Sequence, residues 1–340
     1  MGSNSEMDSN TEKGSGIRST QSPNVLIGCS GWSYPEWNGI VYPKDFPQAQ
    51  MFKYYQTIFH TVEINSSFYQ LPAEKTVGSW MKASDPNFLF SAKIPKLITH
   101  EGKLDLSNTE KVERSLHLFI HNMAPLIQNN QMLAFLLQLP PSFRYQNDYS
   151  KLEKFLSFWN ENILQYFISP QKEPLYVEPQ LVVEFRDLSW MRDETFGLLD
   201  HYHTSYCAVV EPLLPPRIDV TNDSLFYIRF HGFGKNPWFN YSFSNAELDD
   251  WSLKLNPLLN EYRKDREVRK ERPNGDTKRA VLYFNNHFSG NAVKNAIYLA
   301  NKLHIPVKKN TNDLTILEKT DKISFSGNVK NQKKIDEFYK

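Results

Sequence analysis

Cysteine is scarce in this sequence: two in 340 residues, Cys29 and Cys207, each inside an apolar, strand-like run. That excludes a disulfide framework and, with no Cys-x-x-Cys pair, a thiolate metal finger; buried reduced thiols are expected instead. Long hydrophobic runs are missing too, since no stretch approaches the roughly 18 apolar residues needed to cross a bilayer. Neither sign of charge dominates. Lys and Arg number 39 against 38 Asp and Glu, and the net charge of +1 leaves no global field to steer the chain to nucleic acid or a membrane. The phosphate-loop and dinucleotide glycine fingerprints are absent, and no serine sits in a Gly-x-Ser-x-Gly elbow. The first two dozen residues, rich in Ser, Asn, Thr, Glu and Gly, hold no apolar run, which argues against a secretory signal and predicts a disordered leader over 1–23. These absences point to a soluble protein of the cytosol or nucleus with no membrane partner.

What is present is an alternation of strand and helix patterns. Strands are expected at Val25–Cys29, Thr61–Asn65, Phe88–Ile94, Met132–Leu139, Leu181–Phe185, Ser205–Val210, Leu225–His231 and Ala280–Asn285. Helices are expected at Gln48–His60, near Ala73–Ala83, and at Thr109–Gln128, Tyr149–Ile163, Asp193–Tyr202, Asn245–Arg263 and Gly290–Leu303. Only Glu211–Ser224, with three prolines, separates strands six and seven, so a regular sixth return helix is not expected. Eight strands in alternation with about seven helices predict an α/β fold, a (β/α)8 TIM barrel over residues 24–304. The segment 263–279 reads as a charged, Pro/Gly-broken loop, and 305–340 as a loosely ordered C-terminal extension. The pattern carries no sign of oligomeric state.

Side chains on a strand alternate faces. In Val62-Glu63-Ile64-Asn65 the polar residues share one face, and the same parity groups Lys93, Gln138, Glu184, Arg186, Arg229, His231 and Asn285 near strand C-termini. In a closed barrel these faces converge on one polar pocket, at the end where barrel enzymes carry their reactive groups.

Several of these segments together resemble the YecE-like family, the domain of unknown function 72. They are Ile27-Gly-Cys-Ser-Gly-Trp-Ser-Tyr-Pro-Glu-Trp37, Val62-Glu-Ile-Asn-Ser-Ser-Phe-Tyr69, Ala92-Lys-Ile-Pro with Ile98-Thr-His100, Gln138-Leu-Pro-Pro-Ser-Phe143, Val183-Glu-Phe-Arg-Asp-Leu-Ser-Trp190, Tyr227-Ile-Arg-Phe-His-Gly232 and Tyr283-Phe-Asn-Asn-His-Phe-Ser-Gly-Asn-Ala292. The resemblance runs in order from Val25 to Leu303. It implies a TIM barrel and supplies no settled activity. The leader, the basic loop and the C-terminal extension depart from it.

The inward charges, Glu63 and Glu184 against Lys93, Arg186 and Arg229, sum to +1 with His231 neutral. Such a cluster needs mutual pairing or a ligand. Three converging cations favour a small polar or anionic ligand bearing phosphate or carboxylate, and Arg suits bidentate oxyanion binding. Glu63, Glu184 and His231 are the candidate catalytic groups. A glycosidase pair would need its carboxylates about 5–5.5 or 6.5–9.5 Å apart. Pairing of these carboxylates with Arg186 or Lys93 is the competing reading. His231 can act as acid or base, as a structural hydrogen-bonded ring, or as one ligand of a divalent metal; the last is disfavoured because zinc sites usually draw several His or Cys. No metal site or cofactor is assigned.

Ser30, Trp32, Asn65, Lys93, Gln138, Arg186, Arg229, Asn285 and Asn286 are the candidate substrate-binding residues. Ser30-Gly31 would offer backbone N–H groups to an anion, and Trp32, Trp37, Phe68, Tyr69 and Trp190 would stack on sugar rings or bases unless they merely roof the core. The expectation is an enzyme, a hydrolase of phosphoesters or glycosides or an isomerase. The rivals are a non-catalytic nucleic-acid binder using 263–279 and the Lys-rich tail, and a metabolite-binding scaffold.

Overall fold

The computed structural model describes residues 23–166, 178–235, 237–269 and 278–308. Eight strands form one all-parallel sheet: β1 (Val25–Cys29), β2 (Thr61–Ile64), β3 (Leu89–Lys93), β4 (Met132–Gln138), β5 (Gln180–Glu184), β6 (Ser205–Val210), β7 (Leu225–Phe230) and β8 (Arg279–Phe284). Their spatial order is β1-β8-β7-β6-β5-β4-β3-β2. A parallel bridge between Ser30 and Glu63 joins the two ends of that order, with the Gly31 N–H donating to the Glu63 carbonyl at 2.8 Å. The chain is a (β/α)8 TIM barrel, as the alternation predicts.

The helices are α1 (Gln48–Tyr55), α2 (Ser66–Tyr69), α3 (Glu74–Ala83), α4 (Glu113–Gln128), α5 (Tyr145–Phe158), α6 (Asp193–His201), α7 (Asn245–Arg269) and α8 (Asn291–Lys302). No helix occupies 211–224 between β6 and β7. The short α2, directly after β2, was not expected. Helix α5 begins before the expected Tyr149 because Asp148 accepts the Arg144 N–H at 3.0 Å and secures an earlier first turn. Helix α7 continues past Arg263, so the first part of the expected loop at 263–279 is helical; residues 270–277 lie outside the described residues. Residues 1–22 of the expected leader and 309–340 of the expected extension also lie outside them. Among the described residues no helix is long and apolar enough to cross a membrane.

Two apolar layers follow from the strand alternation. One strand face packs on the helices: in α4, Leu116, Phe119, Ile120, Met123, Leu126 and Ile127 recur at helical spacing and are buried against the sheet. The other face fills the barrel, where Leu26, Leu89, Leu133, Val182, Leu225 and Val281 form a separate buried cluster with Tyr227, Tyr283 and Cys207. This plug closes the N-terminal end and leaves the polar residues at the C-terminal mouth.

Candidate active site at the barrel mouth

Above the apolar plug the barrel interior becomes hydrogen-bonded. The Tyr283 hydroxyl lies 2.5 Å from Thr61 Oγ1 and 3.2 Å from Ser91 Oγ, and the Tyr227 hydroxyl donates to Glu63 Oε2 at 2.6 Å. The next layer is ionic. Arg229, fully buried, reaches from β7 to Glu63 Oε1 on β2 at 2.7 Å and to Glu184 Oε2 on β5 at 2.5 Å. Arg186 pairs with Glu184 Oε1 and, through Nη1, with Glu211 Oε2 at 2.6 Å. Burial works against an ionised Glu184, but Arg186 and Arg229 outweigh it and hold the carboxyl well below its ordinary range. The parity expectation holds for this set, which meets across one opening. Of the two readings of these carboxylates the structure shows the paired one, with Arg229 holding both and Arg186 holding Glu184 as well, while the expected alternative partner Lys93 holds neither.

His231 is fully buried, with Nε2 3.1 Å from Arg186 Nη2, 3.4 Å from Arg229 Nη1 and 3.5 Å from Glu184 Oε1. Its Nδ1 meets Asn285 Nδ2 at 3.0 Å, and Asn65 donates to Asn285 Oδ1 at 3.3 Å. Burial, reinforced by the two guanidiniums, drops its pKa to about 3. The ring is therefore neutral near pH 7, and this geometry favours its structural reading over the acid–base one. Among the described residues no group of three or more His, Cys, Asp and Glu is placed to hold a metal ion.

Lys93 differs from the other cations. It ends β3, is 7% exposed, and makes no hydrogen bond or ion pair through Nζ among the described residues; Nζ sits 3.7 Å above the Phe68 ring. Burial, with Arg229 adding repulsion, brings its pKa to about 7. The Ser67 hydroxyl fastens the wall beside it by donating to the Lys93 carbonyl at 2.6 Å and the Ile64 carbonyl at 3.0 Å. His100 meets the Phe68 ring edge-on at 4.9 Å and hydrogen-bonds Thr99 Oγ1 at 2.8 Å through Nδ1; burial and then Lys93 lower its pKa to about 4.

The remaining candidates divide. Asn65 and Asn285 join the polar set, and Gln138, half-buried, is the register partner of Glu184. Asn286 does not join it: one residue beyond Asn285, it has the opposite parity and donates to Asn295 Oδ1 at 2.8 Å and the Tyr241 carbonyl at 3.0 Å. Ser30 and Gly31 have no backbone N–H to spare for an anion, because those groups donate to the Phe284 and Glu63 carbonyls in the barrel seam; only the buried Ser30 hydroxyl is unpartnered. The Trp32 ring packs on Phe52 and Trp80 at 5.1 and 5.6 Å. Trp37 and Trp190 are fully buried, donating to the His287 and Phe143 carbonyls, so they roof the core rather than stack on a ligand.

Sequence reasoning missed Glu211 and Trp238. Glu211 shares the parity of Cys207 and Val209, but the prolines after it made it read as loop. Burial, with Glu184 nearby, raises its pKa. Trp238, in the loop after β7, places its ring 5.8 Å from the Arg186 guanidinium. Counting Glu211 changes the inward balance from +1 to zero with Lys93 protonated.

A family model described as "Protein of unknown function DUF72" matches residues 26–318. The chain belongs to the DUF72 family. Among curated DUF72 relatives, UPF0759 protein YunF of Bacillus subtilis is 23% identical over 303 residues, 83% of this chain and 95% of YunF. UPF0759 protein YecE of Escherichia coli K12 is 28% identical over 121 residues, 35% of this chain and 39% of YecE. A crystal structure of a DUF72 protein from Thermotoga maritima superposes with a TM-score of 0.60 at 27% identity, covering 82% of this chain and 99% of that one. One from Enterococcus faecalis gives 0.62 at 21% identity, covering 83% and 96%, and shows the shared fold.

Proposed function

We propose that this DUF72 barrel is an enzyme that binds a polar substrate with an anionic group at the C-terminal mouth and acts on it by acid–base chemistry, Lys93 serving as the proton-transfer group in place of His231. One observation carries the reading. Of the twelve buried side-chain atoms without a hydrogen-bond partner among the described residues, five lie in this one polar set: Ser30 Oγ, Asn65 Oδ1, Arg186 Nε, Glu211 Oε1 and Arg229 Nε. Such atoms are costly to leave unpaired, by about 1–3 kcal/mol each, and a sealed ion web alone gives no reason to concentrate them. The lysine amine, poised near neutrality, is suited to taking and returning a proton at physiological pH.

With the ring electrically balanced, an anion is not drawn in by net charge. It competes with Glu211 for Arg186, and burial favours the protonated Glu211 that would then yield its place. Calorimetric titration with inorganic phosphate and with glyceraldehyde 3-phosphate tests this. Affinity is expected to rise as pH falls from 8 to 6, to increase about tenfold in Glu211→Gln, and to be lost in Arg186→Met. Binding indifferent to both substitutions would place the anion elsewhere and end this reading. The two unpaired buried thiols, Cys29 and Cys207, suit a reducing compartment, and we place the protein in the cytoplasm.

A further inference from the structure

The geometry around Lys93 points to more than proton transfer. We infer that Lys93 is a covalent nucleophile that forms an imine with a carbonyl substrate, an aldehyde or ketone, at the barrel mouth; this rests on the reading of the mouth as a substrate site and names the substrate class. The amine ends β3 facing inward, 93% buried, and no carboxylate lies within ion-pair distance of it among the described residues. The three acids of the cluster are drawn instead to Arg186 and Arg229. A lysine meant only to balance charge would be matched to one of them. Lys93 is instead buried with Arg229 and Arg186 beside it, and burial and those two cations favour the free amine over the ammonium. They outweigh the Phe68 face at 3.7 Å, which by itself would favour the charged form.

Neighbouring groups suit the chemistry. Asn65 is one step beyond the Ile64–Ala92 register pair, level with Lys93 on the adjacent strand, and its buried Oδ1 has no partner. It can accept a hydrogen bond from a substrate hydroxyl or from the carbinolamine. The Lys93 nitrogen attacks the carbonyl carbon; the C–N bond forms as the C=O π pair moves to oxygen. A proton passes from the attacking nitrogen to that oxygen, leaving a neutral carbinolamine with the nitrogen lone pair restored. Loss of water, with the nitrogen lone pair closing the C=N bond, then gives the imine. Its protonated form is an electron sink for breaking a bond or losing a proton at the adjacent carbon. With a pKa of about 7, Lys93 holds a neutral fraction at pH 7 on the order of a thousandfold above that of an exposed lysine.

The test is reductive trapping of the whole protein at pH 7 with pyruvate, glycolaldehyde or glyceraldehyde 3-phosphate and cyanoborohydride. The reagent delivers hydride to the imine carbon, leaving a stable secondary amine, and peptide mass mapping locates it. The expected result is an adduct at Lys93, with a mass gain of probe plus two hydrogens less water, at least about tenfold above any other lysine. It should vanish in Lys93→Arg, whose folding is verified by circular dichroism and thermal melting, without altering background labelling elsewhere. Labelling spread evenly over surface lysines, or unchanged in Lys93→Arg, overturns the imine. Calorimetric binding of glyceraldehyde 3-phosphate with no adduct at Lys93 also overturns it while leaving the binding site standing. Loss of both binding and adduct in the unaltered protein removes the site itself.

Discussion

Arg229 spans the barrel from β7 to carboxylates on β2 and β5, and with Glu184 it makes the interior dependent on complete pairing. Taking charges out of water is costly, and removing one partner of such a buried set leaves the others uncompensated. Glu184→Gln leaves Arg186 and Arg229 short of an anion at once, and is expected to cost about 3–5 kcal/mol in urea unfolding. A loss below about 1 kcal/mol would mean that the web does not bear on stability. Lys93 predicts the opposite sign. Above the unfolded-state pKa of 10.5 neither state holds the proton. As pH falls towards 7 the unfolded chain takes up a proton that the folded one refuses, so stability is lost over that window. Lys93→Met escapes this loss. It is expected to be more stable than the parent by about 1–3 kcal/mol at pH 7, with the gap narrowing by pH 10, as is common when a functional group is removed from an apolar wall. Equal stability of the two proteins at pH 7 would show that holding this amine costs the fold nothing.

The seam between β1 and β2 is the element on which closure depends. Gly28 sits so near β2 that a Cβ there would lie 2.4 Å from the Thr61 carbonyl oxygen and 3.0 Å from the Tyr55 hydroxyl. That hydroxyl, supplied from α1, accepts the Cys29 N–H at 2.8 Å and donates to the Thr61 carbonyl at 3.0 Å, standing in for a missing ladder bond. Tyr55→Phe strands a buried N–H and a buried carbonyl. It is expected to lower stability by about 1–3 kcal/mol with no change in secondary structure by circular dichroism; an unchanged urea midpoint would show that the strands pair without the bridge. The strands themselves were legible to within about a residue at each end, because apolar–polar alternation is local. The role of Tyr55 was not, since its partners come from two other elements and the sequence shows only an amphipathic helix ending in tyrosine. The same limit explains α5: nothing in its apolar pattern showed that Asp148 would secure the turn before Tyr149.

Across the whole molecule, parity placed Glu63, Lys93, Glu184, Arg186, Arg229, His231 and Asn285 around one opening, and the structure brings them there. Which cation meets which acid was not readable, because the partners of Arg229 lie 45 and 166 residues away and are chosen by strand order and tilt. Parity also fails one residue past a strand end, where Asn286 turns to α8 while Asn285 stays in the mouth. The loops add what composition hides: exposed Tyr69, Leu188, Leu213 and Phe233 follow β2, β5, β6 and β7, giving the polar opening an apolar rim. Burial of so many titratable groups ties global stability to pH. His231 stays neutral in the folded protein down to about pH 3, whereas in the unfolded chain it takes a proton near 6.5. Between those values the unfolded state binds the additional proton, so stability falls with pH at about 1.4 kcal/mol per unit. His100, lowered to about 4 but partly exposed, adds a smaller part of the same sign. Urea midpoints from pH 7.5 to 4.5 should fall steadily, and less steeply in His231→Gln, which keeps hydrogen-bonding capacity without the titration. An identical acid slope in both proteins would mean that the ring is protonated inside the barrel, and the ion web would then have to be redrawn with a third cation at its centre.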